Sequence, residues 1–328
     1  MSGRHPHPRR TELMTTVAAI DCGTNSIRLL IASQGPAGEL VEHTRITTMV
    51  RLGQGVDATG EFHPDALQRT FAACDAYAEA IREHGGVDAV RFVATSAARD
   101  ARNRDEFAAG VRERLGVDPV VVDGEEEAHL SFTGAVTGVP TALDPVLVMD
   151  IGGGSTELIR GEQGRIVAEQ SLDMGAVRLR ERFLTDDPPT PEQIEAARAY
   201  AHDLLDQCEV PLDGIGTFIG VAGTATTMAA VDLKLPTYER SLVHQHVIAQ
   251  GLIDENAERW LASTVEQVRT EPAMHPQRAE IICAGGLILQ AVAQRVGRAM
   301  VVSESDILDG IAMDLLASGT TPSAVTEA

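Results

Sequence analysis

Acidic residues occupy three positions where a carboxylate could act on a phosphoanhydride. Glu125, Glu126 and Glu127 follow Asp123, a predicted helix start. Hydrolysis of such a bond needs a carboxylate that positions and deprotonates water, and one of these three glutamates could supply it. Asp150 and Glu157 flank a predicted hairpin turn, where hard oxygen ligands could bind Mg²⁺ that already carries substrate phosphates. Structural roles would also explain them. Acidic residues after Asp123 suit the positive end of a helix, Asp150 could act as a cap, and Glu157 could be solvated.

A turn with the pattern Asp-x-Gly-x-x-Ser occurs twice, each time between two apolar segments, VAAIDCGTNSIRLLIA at 17–32 and VLVMDIGGGSTELIRG at 146–161. The matching positions are Asp21, Gly23, Ser26 and Leu29 in the first and Asp150, Gly152, Ser155 and Leu158 in the second. A strand after the glycines predicts a β-hairpin, whereas a helix follows them in a dinucleotide-binding loop. Backbone N–H groups of two such turns, facing each other across a cleft, could hold a chain of phosphates. Two unrelated hairpins are the alternative.

Two further segments could contact phosphate. FIGVAGTATTMAA at 218–230 reads as a strand, a glycine turn and a helix, which places Gly223 and Thr224 at a helix start with free N–H groups. TSAARDARN at 95–103 places Arg99 in the first turn after a strand end, where ligands of open α/β sheets bind. A tight connection and a charged surface helix are the respective structural alternatives.

Strands and helices alternate along the chain around these residues. The predicted strands, besides the two hairpins, are 89–95, 119–122, 216–221 and 299–302, and the predicted helices are 64–84, 103–115, 125–138, 190–208, 252–268, 277–296 and 305–317. This order predicts an α/β fold of two similar lobes, each beginning with one of the hairpins, with a cleft between them.

Composition limits the partners of this chain. Its 328 residues are enough for two domains, and its net charge of −21 argues against a broad basic face for nucleic acid or an anionic membrane. The four cysteines form no CxxC pair, which predicts neither a zinc site nor a disulfide framework and indicates a reducing compartment. Arginine is suited to phosphate contacts. Arg99 is the first candidate, and the weaker ones are Arg51, Arg102, Arg178 and Arg278.

Taken together, these segments resemble the exopolyphosphatase/guanosine pentaphosphate phosphatase family of the actin-like ATPase superfamily. The resemblance spans about residues 17–312 and is closest to the short, two-domain actinobacterial members. Its motifs are DCGTNSIRLL, RLGQGV at 51–56, TSAARDARN, GEEEAHLSF, DIGGGSTEL, LDMGAVRL at 172–179, GVAGTAT at 220–226, RAEIICAGG at 278–286 and VSESDILDG at 302–310. It implies two actin-like, ribonuclease H-like lobes around a cleft.

The resemblance implies a role for each matching position. Glu127 is expected to be the general base, and Arg99 is expected to clamp phosphate. Asp150, Glu157 and Asp21 are expected at a Mg²⁺ site that could also take Mn²⁺. The expected substrate-binding residues lie in the two facing loops and beside them: Gly23, Thr24, Asn25, Ser26, Ser96, Gly152, Gly153, Gly154, Ser155, Gly223 and Thr224.

The expected domain organisation follows the repeat and the family. Residues 1–13 are expected to be a disordered extension, 14–135 the first lobe and 136–303 the second lobe. The helix at 304–317 is expected to pack back on the first lobe, and 318–328 to be a disordered tail.

The implied activity is Mg²⁺-dependent removal of terminal orthophosphate from inorganic polyphosphate. Short chains are the expected substrate, because longer members of the family add helical C-terminal domains that this sequence lacks. Removal of the 5′-phosphate of guanosine pentaphosphate (pppGpp) is the main alternative. A small-metabolite kinase of the same superfamily and a non-catalytic sensor of polyphosphate or nucleotides are the others. A cytoplasmic location is expected, with no nucleic-acid or membrane partner, and family analogy implies a homodimer.

Overall fold

A computed structural model describes residues 15–318; the predicted extension at 1–13 and the predicted tail beyond residue 318 lie outside this range. The strands are β1 (Thr16–Cys22), β2 (Ser26–Gln34), β3 (Leu40–Met49), β4 (Ala89–Ala94), β5 (Val120–Val121), β6 (Val146–Ile151), β7 (Thr156–Glu162), β8 (Arg165–Leu172), β9 (Thr217–Val221), β10 (Val247–Ile248) and β11 (Met300–Val302). The helices are α1 (Val56–Thr59), α2 (Pro64–Glu83), α3 (Ser96–Asp100), α4 (Arg104–Leu115), α5 (Gly124–Gly138), α6 (Ala176–Arg182), α7 (Pro191–Asp206), α8 (Ala222–Asp232), α9 (Arg240–Val243), α10 (Gln250–Leu261), α11 (Val265–Arg269), α12 (Ile282–Val296) and α13 (Ile307–Ala317). Among these, none is long and apolar enough to cross a membrane.

Two sheets form the frame of the molecule, and they share one plan. The first has the strand order β3-β2-β1-β4-β5, and the second has β10-β11-β9-β6-β7-β8. In each, the hairpin and the strand after it are antiparallel, and the next two strands run parallel to the first strand of the hairpin. β10 is added antiparallel at the edge of the second sheet. This is the ribonuclease H-like plan, and its duplication confirms the predicted α/β fold of two actin-like lobes.

Each lobe has its own apolar core. β6 is buried along its whole length, and β1 is buried after Thr16, because both strands lie inside their sheets. In the second lobe, α12 is apolar on nearly all sides and is therefore buried, next to the fully buried Trp260. In the first lobe, Phe92 and Phe107 pack edge to face between the sheet and its helices.

The last helix crosses from the second lobe to the first. β11 pairs with β9 in the second sheet, but α13 packs against β1, β2 and α5. Asp306 caps α13 and forms an ion pair with Arg28 of β2, and Asp309 accepts a hydrogen bond from Arg45 of β3 at 2.7 Å. The position of α13 is thus set by charge pairs as well as by apolar packing.

Some elements differ from the predicted ones. The predicted helix at 252–268 is two helices, α10 and α11, because Thr264 starts the second one through a capping box with Gln267. The predicted helix at 277–296 begins only at Ile282, after a turn. The pattern also did not predict β3 and β8, whose residues are mostly half-buried or exposed and so show no continuous apolar run.

Glycine allows close contact between α5 and α13. A Cβ on Gly310 of α13 would overlap the carbonyl oxygen of Leu130, and one on Gly134 of α5 would overlap the carbonyl oxygen of Asp306. Both oxygens belong to backbone, which yields less easily than the end of a flexible side chain. The two glycines therefore set the distance between α5 and α13.

We expect Gly310→Ala to lower the free energy of unfolding by about 1–3 kcal/mol, because the added methyl group forces the two helices apart. Urea unfolding followed by circular dichroism measures this change. Gly251→Ala is the matched control, since Gly251 is exposed in the first turn of α10 and its Cβ would meet no atom within 4 Å. That variant should be unchanged or more stable by up to about 1 kcal/mol. Equal losses in the two variants would contradict the packing argument.

Candidate active site

A cavity of about 890 Å³ lies between the two lobes. The turn between β1 and β2 and the turn between β6 and β7 both reach its wall, so the repeated hairpins face each other here. The predicted residues that line it are Asp21, Gly23, Thr24, Asn25, Ser26, Ser96, Glu127, Asp150, Gly152, Gly153, Ser155 and Gly223. The cavity therefore brings together the two predicted phosphate loops and the predicted general base.

The first loop, residues 23–26, is held from behind by the chain that follows β3. The carbonyl oxygen of Thr24 accepts a hydrogen bond from Gly53 N at 2.8 Å, and that of Asn25 accepts from the N–H groups of residues 50 and 51. Within residues 15–318, the N–H groups of Thr24 and Asn25 have no hydrogen-bond acceptor. Because the carbonyl groups are turned to the rear, these N–H groups are available to an anion.

The second loop, residues 152–155, is held in the same way by α6. The first N–H groups of α6 donate to the carbonyl oxygens of Gly152 and Gly153, and Arg178 Nε donates to that of Gly154 at 2.7 Å. The N–H groups of Gly153 and Gly154 donate to no atom in the described part of the chain. The second loop thus repeats the arrangement of the first, with carbonyl groups that accept hydrogen bonds from a supporting segment and N–H groups that remain free.

The two loops touch, and this contact requires glycine in the second loop. A Cβ on Gly153 would lie 2.7 Å from Thr24 Cβ, and one on Gly154 would lie 2.5 Å from Ser96 Oγ. The hydroxyl oxygens of Thr24 and Ser96 are themselves 2.9 Å apart and hydrogen-bonded. Only a residue without a side chain lets the second loop approach these two side chains so closely.

Glu127 enters the cavity from the first turn of α5 and is 7% exposed. Asp123 caps this helix by accepting a hydrogen bond from Glu126 N at 2.9 Å. Arg99 donates to Glu127 Oε2 at 2.6 Å and to the carbonyl oxygen of Val122 at 2.9 Å. Arg99 therefore orients the predicted base directly, from a position behind the cavity wall.

Asp150 and Glu157 are cross-strand neighbours in the β6–β7 hairpin, so their side chains leave the same face. Ser131 Oγ donates to Asp150, and Ser171 Oγ donates to Glu157 Oε1 at 2.7 Å. Burial, and then the charge of Glu157, raise the pKa of Asp150 to about 7. Burial and Glu157 likewise raise the pKa of Glu127 well above its usual value. Three carboxylates thus share one buried space, which favours the uptake of a cation or of protons.

The two lobes differ at this repeated position. In the first lobe, Asp21 is the cross-strand partner of Arg28, whose guanidinium donates to Asp21 Oδ2 at 2.6 and 3.0 Å. Glu157 takes the place of Arg28 in the second lobe, so that its partner Asp150 faces another acid. The first lobe thus has an acid and a base at this position, which form an ion pair, whereas the two acids of the second lobe need positive charge from elsewhere.

The chemistry of the donor set fits a magnesium ion at Asp150 and Glu157. Mg²⁺ prefers oxygen ligands and is usually held by one or two carboxylates together with waters and substrate phosphates. No group of three or more His, Cys, Asp and Glu side chains within residues 15–318 is arranged to hold a metal alone. Asp21, the third predicted ligand, already has Oδ2 occupied by Arg28, which makes it the least suited of the three.

Some predicted residues do not line the cavity; these are Arg99, Gly154, Glu157 and Thr224. Thr224 is 1% exposed and packs against α12, where a Cβ on Gly285 would lie 2.5 Å from its hydroxyl oxygen. Its side chain thus packs inside the second lobe, and the contact of its backbone N–H group with substrate stays a prediction. Gly154 packs against Ser96, as described above, and Glu157 is 1% exposed beside Asp150 on the neighbouring strand.

Arginines from both lobes complete the cavity wall; these are Arg28, Arg45, Arg240 and Arg278. The first three form ion pairs with carboxylates. The guanidinium of Arg278 forms neither an ion pair nor a hydrogen bond within residues 15–318, and it lies over Gly223, where a Cβ would overlap it. Burial, and then repulsion by Arg28, lower the pKa of Arg278 to about 10. An unpaired guanidinium in a cleft with free N–H groups is a strong anion-binding feature.

The fold and the site together define a class of protein. It is an actin-like molecule whose two lobes face each other with phosphate-binding loops. The Ppx/GppA phosphatase family profile matches residues 31–318, and the chain belongs to this family. The resemblance predicted from the motifs is therefore confirmed.

Individual relatives support this membership. The chain is 44% identical over 317 residues to exopolyphosphatase 2 of Mycobacterium tuberculosis, covering 92% of this chain and 99% of that protein. Its fold is similar to an exopolyphosphatase from Cytophaga hutchinsonii (TM-score 0.84, 26% identity, 94% of this chain and 100% of that one). It is also similar to a Ppx/GppA protein from Aquifex aeolicus (TM-score 0.79, 28% identity, 94% of this chain and 100% of that one).

We expect Asp150→Asn to be more stable than the wild type above pH 7, with a difference that shrinks as the pH falls toward 4. The pKa of Asp150 is about 7 in the folded chain and about 3.9 in an unfolded one. Between these values the folded state binds more protons, so the free energy of unfolding of the wild type falls as the pH rises. The difference between the two proteins should change by at most about 1.4 kcal/mol per pH unit.

Urea unfolding at several pH values, with a chelator present, measures this difference. Asp203→Asn on the exposed face of α7 is the control for the loss of one carboxylate. Parallel stability profiles for the wild type and Asp150→Asn would show that Asp150 is not held among like charges.

Proposed function

We propose that this chain hydrolyses the terminal phosphoanhydride bond of inorganic polyphosphate and releases orthophosphate. The observation that carries this proposal is the position of Glu127, a buried carboxylate oriented by Arg99 at a cavity that two amide loops line. The relative from Mycobacterium tuberculosis, which is named an exopolyphosphatase and aligns over nearly its whole length, supports the same substrate class.

Backbone and uncharged groups supply most of the proposed substrate contacts. The free N–H groups of both loops would bind phosphate oxygens, as would the side-chain amide of Asn25. Asn25 is 8% exposed, and its Nδ2 has no hydrogen-bond partner within the described residues. Arg278 would add one unpaired positive charge from the second lobe. A protein with a net charge of −21 can bind a polyanion in this way because the contacts lie inside a cleft.

Glu127 would act as the general base. Its raised pKa suits a carboxylate that accepts a proton from water near neutral pH. The water oxygen forms a bond to the terminal phosphorus, the bridging P–O bond breaks, and the shortened chain leaves with the electron pair. Arg99 would hold the carboxylate toward this water, so that positioning and charge stabilisation supply most of the rate increase.

Asp150 and Glu157 would hold Mg²⁺, with Mn²⁺ as a possible substitute. The bound ion would supply positive charge to the phosphate oxygens during transfer. The two carboxylates flank the second loop and would place that charge beside it, and their mutual repulsion favours uptake of the ion.

We expect Glu127→Gln to lower kcat for phosphate release by about 10²–10⁴-fold, because the amide cannot accept the proton from water. Binding of polyphosphate should remain, since the amide occupies the same space. Phosphate release and equilibrium binding, measured on the same preparation, separate the two effects. Glu125→Gln is the matched control, because Glu125 lies in the same first turn of α5 but is exposed. Turnover by Glu127→Gln at the control rate would exclude the proposed base.

One wall of the cavity favours a second candidate substrate. Apolar and aromatic residues of the second lobe line it, namely Pro236, Tyr238, Met274 and Pro276. A phosphate chain has no apolar group that could pack on such a surface, whereas a nucleoside base could. Hydrolysis of the 5′-phosphate of guanosine pentaphosphate is therefore the alternative activity, and direct competition between the two substrates would discriminate them.

We expect turnover per chain end to be faster on short polyphosphates than on chains of hundreds of phosphates. The cavity between the lobes is limited to about 890 Å³, and outside it a long chain passes over a protein whose net charge is −21. A series of chain lengths at equal concentrations of chain ends measures the preference. Raising the salt concentration should narrow the difference, because salt screens the repulsion. Faster turnover on the longest chains at low salt would reject this prediction.

A further inference from the structure

One guanidinium connects both lobes and the second phosphate loop. Arg178, near the start of α6, donates from Nε to the carbonyl oxygen of Gly154 at 2.7 Å. Its two terminal nitrogens donate to Asp57 and to Asp100 of the first lobe, each at 2.6 Å. Its side chain is 10% exposed. All three nitrogens of the Arg178 guanidinium thus donate hydrogen bonds, two of them across the interface between the lobes.

The equivalent position in the first lobe is held differently. Asn25 matches Gly154 in the repeated turns, and its carbonyl oxygen accepts hydrogen bonds from backbone N–H groups of residues 50 and 51. That segment belongs to the same lobe as Asn25, so the first loop is supported whatever the position of the second lobe. In the second loop, the carbonyl oxygen of Gly154 depends on the side chain of Arg178, which is itself docked on the other lobe.

The charges around Arg178 make this docking sensitive to the distance between the lobes. Asp173, from the second lobe, lies 3.9 Å away and is largely exposed, so it is a weak partner. Asp57 also pairs with Arg182 of α6. Separation of the lobes would remove both strong partners of Arg178 and expose its guanidinium to water, which competes for its donors.

We propose that Arg178 is a positioning residue that couples closure of the two lobes to the alignment of the second phosphate loop. With the lobes together, Asp57 and Asp100 hold the guanidinium, Nε holds the Gly154 carbonyl group to the rear, and the loop N–H groups face the cavity. With the lobes apart, the loop loses this support. The kinetic consequence rests on the proposed function, but the coupling itself does not.

The coupling can be tested without substrate by hydrogen–deuterium exchange. The reporters are the amides of 176–178, which donate to the second loop, and that of Gly152, which donates to Ser155 O. The double variant Asp57→Ala, Asp100→Ala should speed their exchange at least about threefold, although both changes lie in the first lobe and touch no atom of the loop. The amides of residues 50, 51 and 53, which support the first loop, should stay unchanged.

Two further variants complete the design. Arg178→Lys keeps the positive charge but cannot reach three acceptors, so it should speed exchange of the same amides. Arg182→Gln is the matched control, because it removes a partner of Asp57 without contacting the second loop. It should leave the exchange of residues 152 and 176–178 unchanged.

Kinetics then test the consequence. Arg178→Lys should lower kcat for phosphate release about tenfold or more, because a small misplacement of a group that binds the substrate slows phosphoryl transfer strongly. Adding the two aspartate changes to Arg178→Lys should cause little further loss, since all three act through one contact.

Unchanged exchange in the double aspartate variant, or losses of kcat that add in the combined variant, would overturn the proposal. A wild type that releases no phosphate from polyphosphate would instead refute the proposed function and leave the exchange result standing.

Discussion

Repulsion among buried carboxylates is the constraint on which the rest of the site depends. Glu127, Asp150 and Glu157 share one space, and the guanidinium of Arg99 contacts Glu127. In the first lobe the same repeated strand positions hold Asp21 and Arg28, which form an ion pair. The unbalanced charge therefore lies on one side of the cavity, where substrate phosphates alone would add to the repulsion. A positive ion and the free N–H groups of the loops are the means by which the fold can offset it.

The loops can present N–H groups only because their carbonyl groups are satisfied elsewhere. Buried carbonyl groups need donors. Each turn supplies one donor itself, from Gly23 N–H to Ser26 O or from Gly152 N–H to Ser155 O, and its other carbonyl groups need donors from outside the turn. The chain after β3 supplies donors to the first loop, and α6 supplies them to the second. This explains why the repeated hairpins are each followed by a third strand that leads directly to a supporting segment. It also explains how an acidic protein can have an anion site with few basic side chains.

The sequence predicted the elements with strong local signals. The two hairpins, the start of α5 and the position of Glu127 follow from apolar strands, glycine turns and the cap at Asp123. The sequence did not predict the contacts between distant segments. Arg99 lies 28 positions from the carboxylate that it orients, and Arg278 reaches Gly223 from the turn before α12. In an alignment of the two repeats, Arg28 and Glu157 occupy the same position. This difference is the sequence signal that identifies the asymmetry of the lobes. No local pattern marks Tyr238 as a wall of the cavity.

The crossing of α13 into the first lobe links the architecture to this asymmetry. Arg28 is shared by Asp21 and by Asp306, the cap of α13. The pKa of Asp306 is lowered because the attraction of Arg28 and Arg45 outweighs burial, whereas the pKa of Asp21 is raised because burial outweighs Arg28. Asp306 therefore stays ionised and keeps Arg28 in place. The last helix of the chain thus supplies a second carboxylate to Arg28 of the first hairpin, whereas the matching pair in the second hairpin, Asp150 and Glu157, consists of two acids.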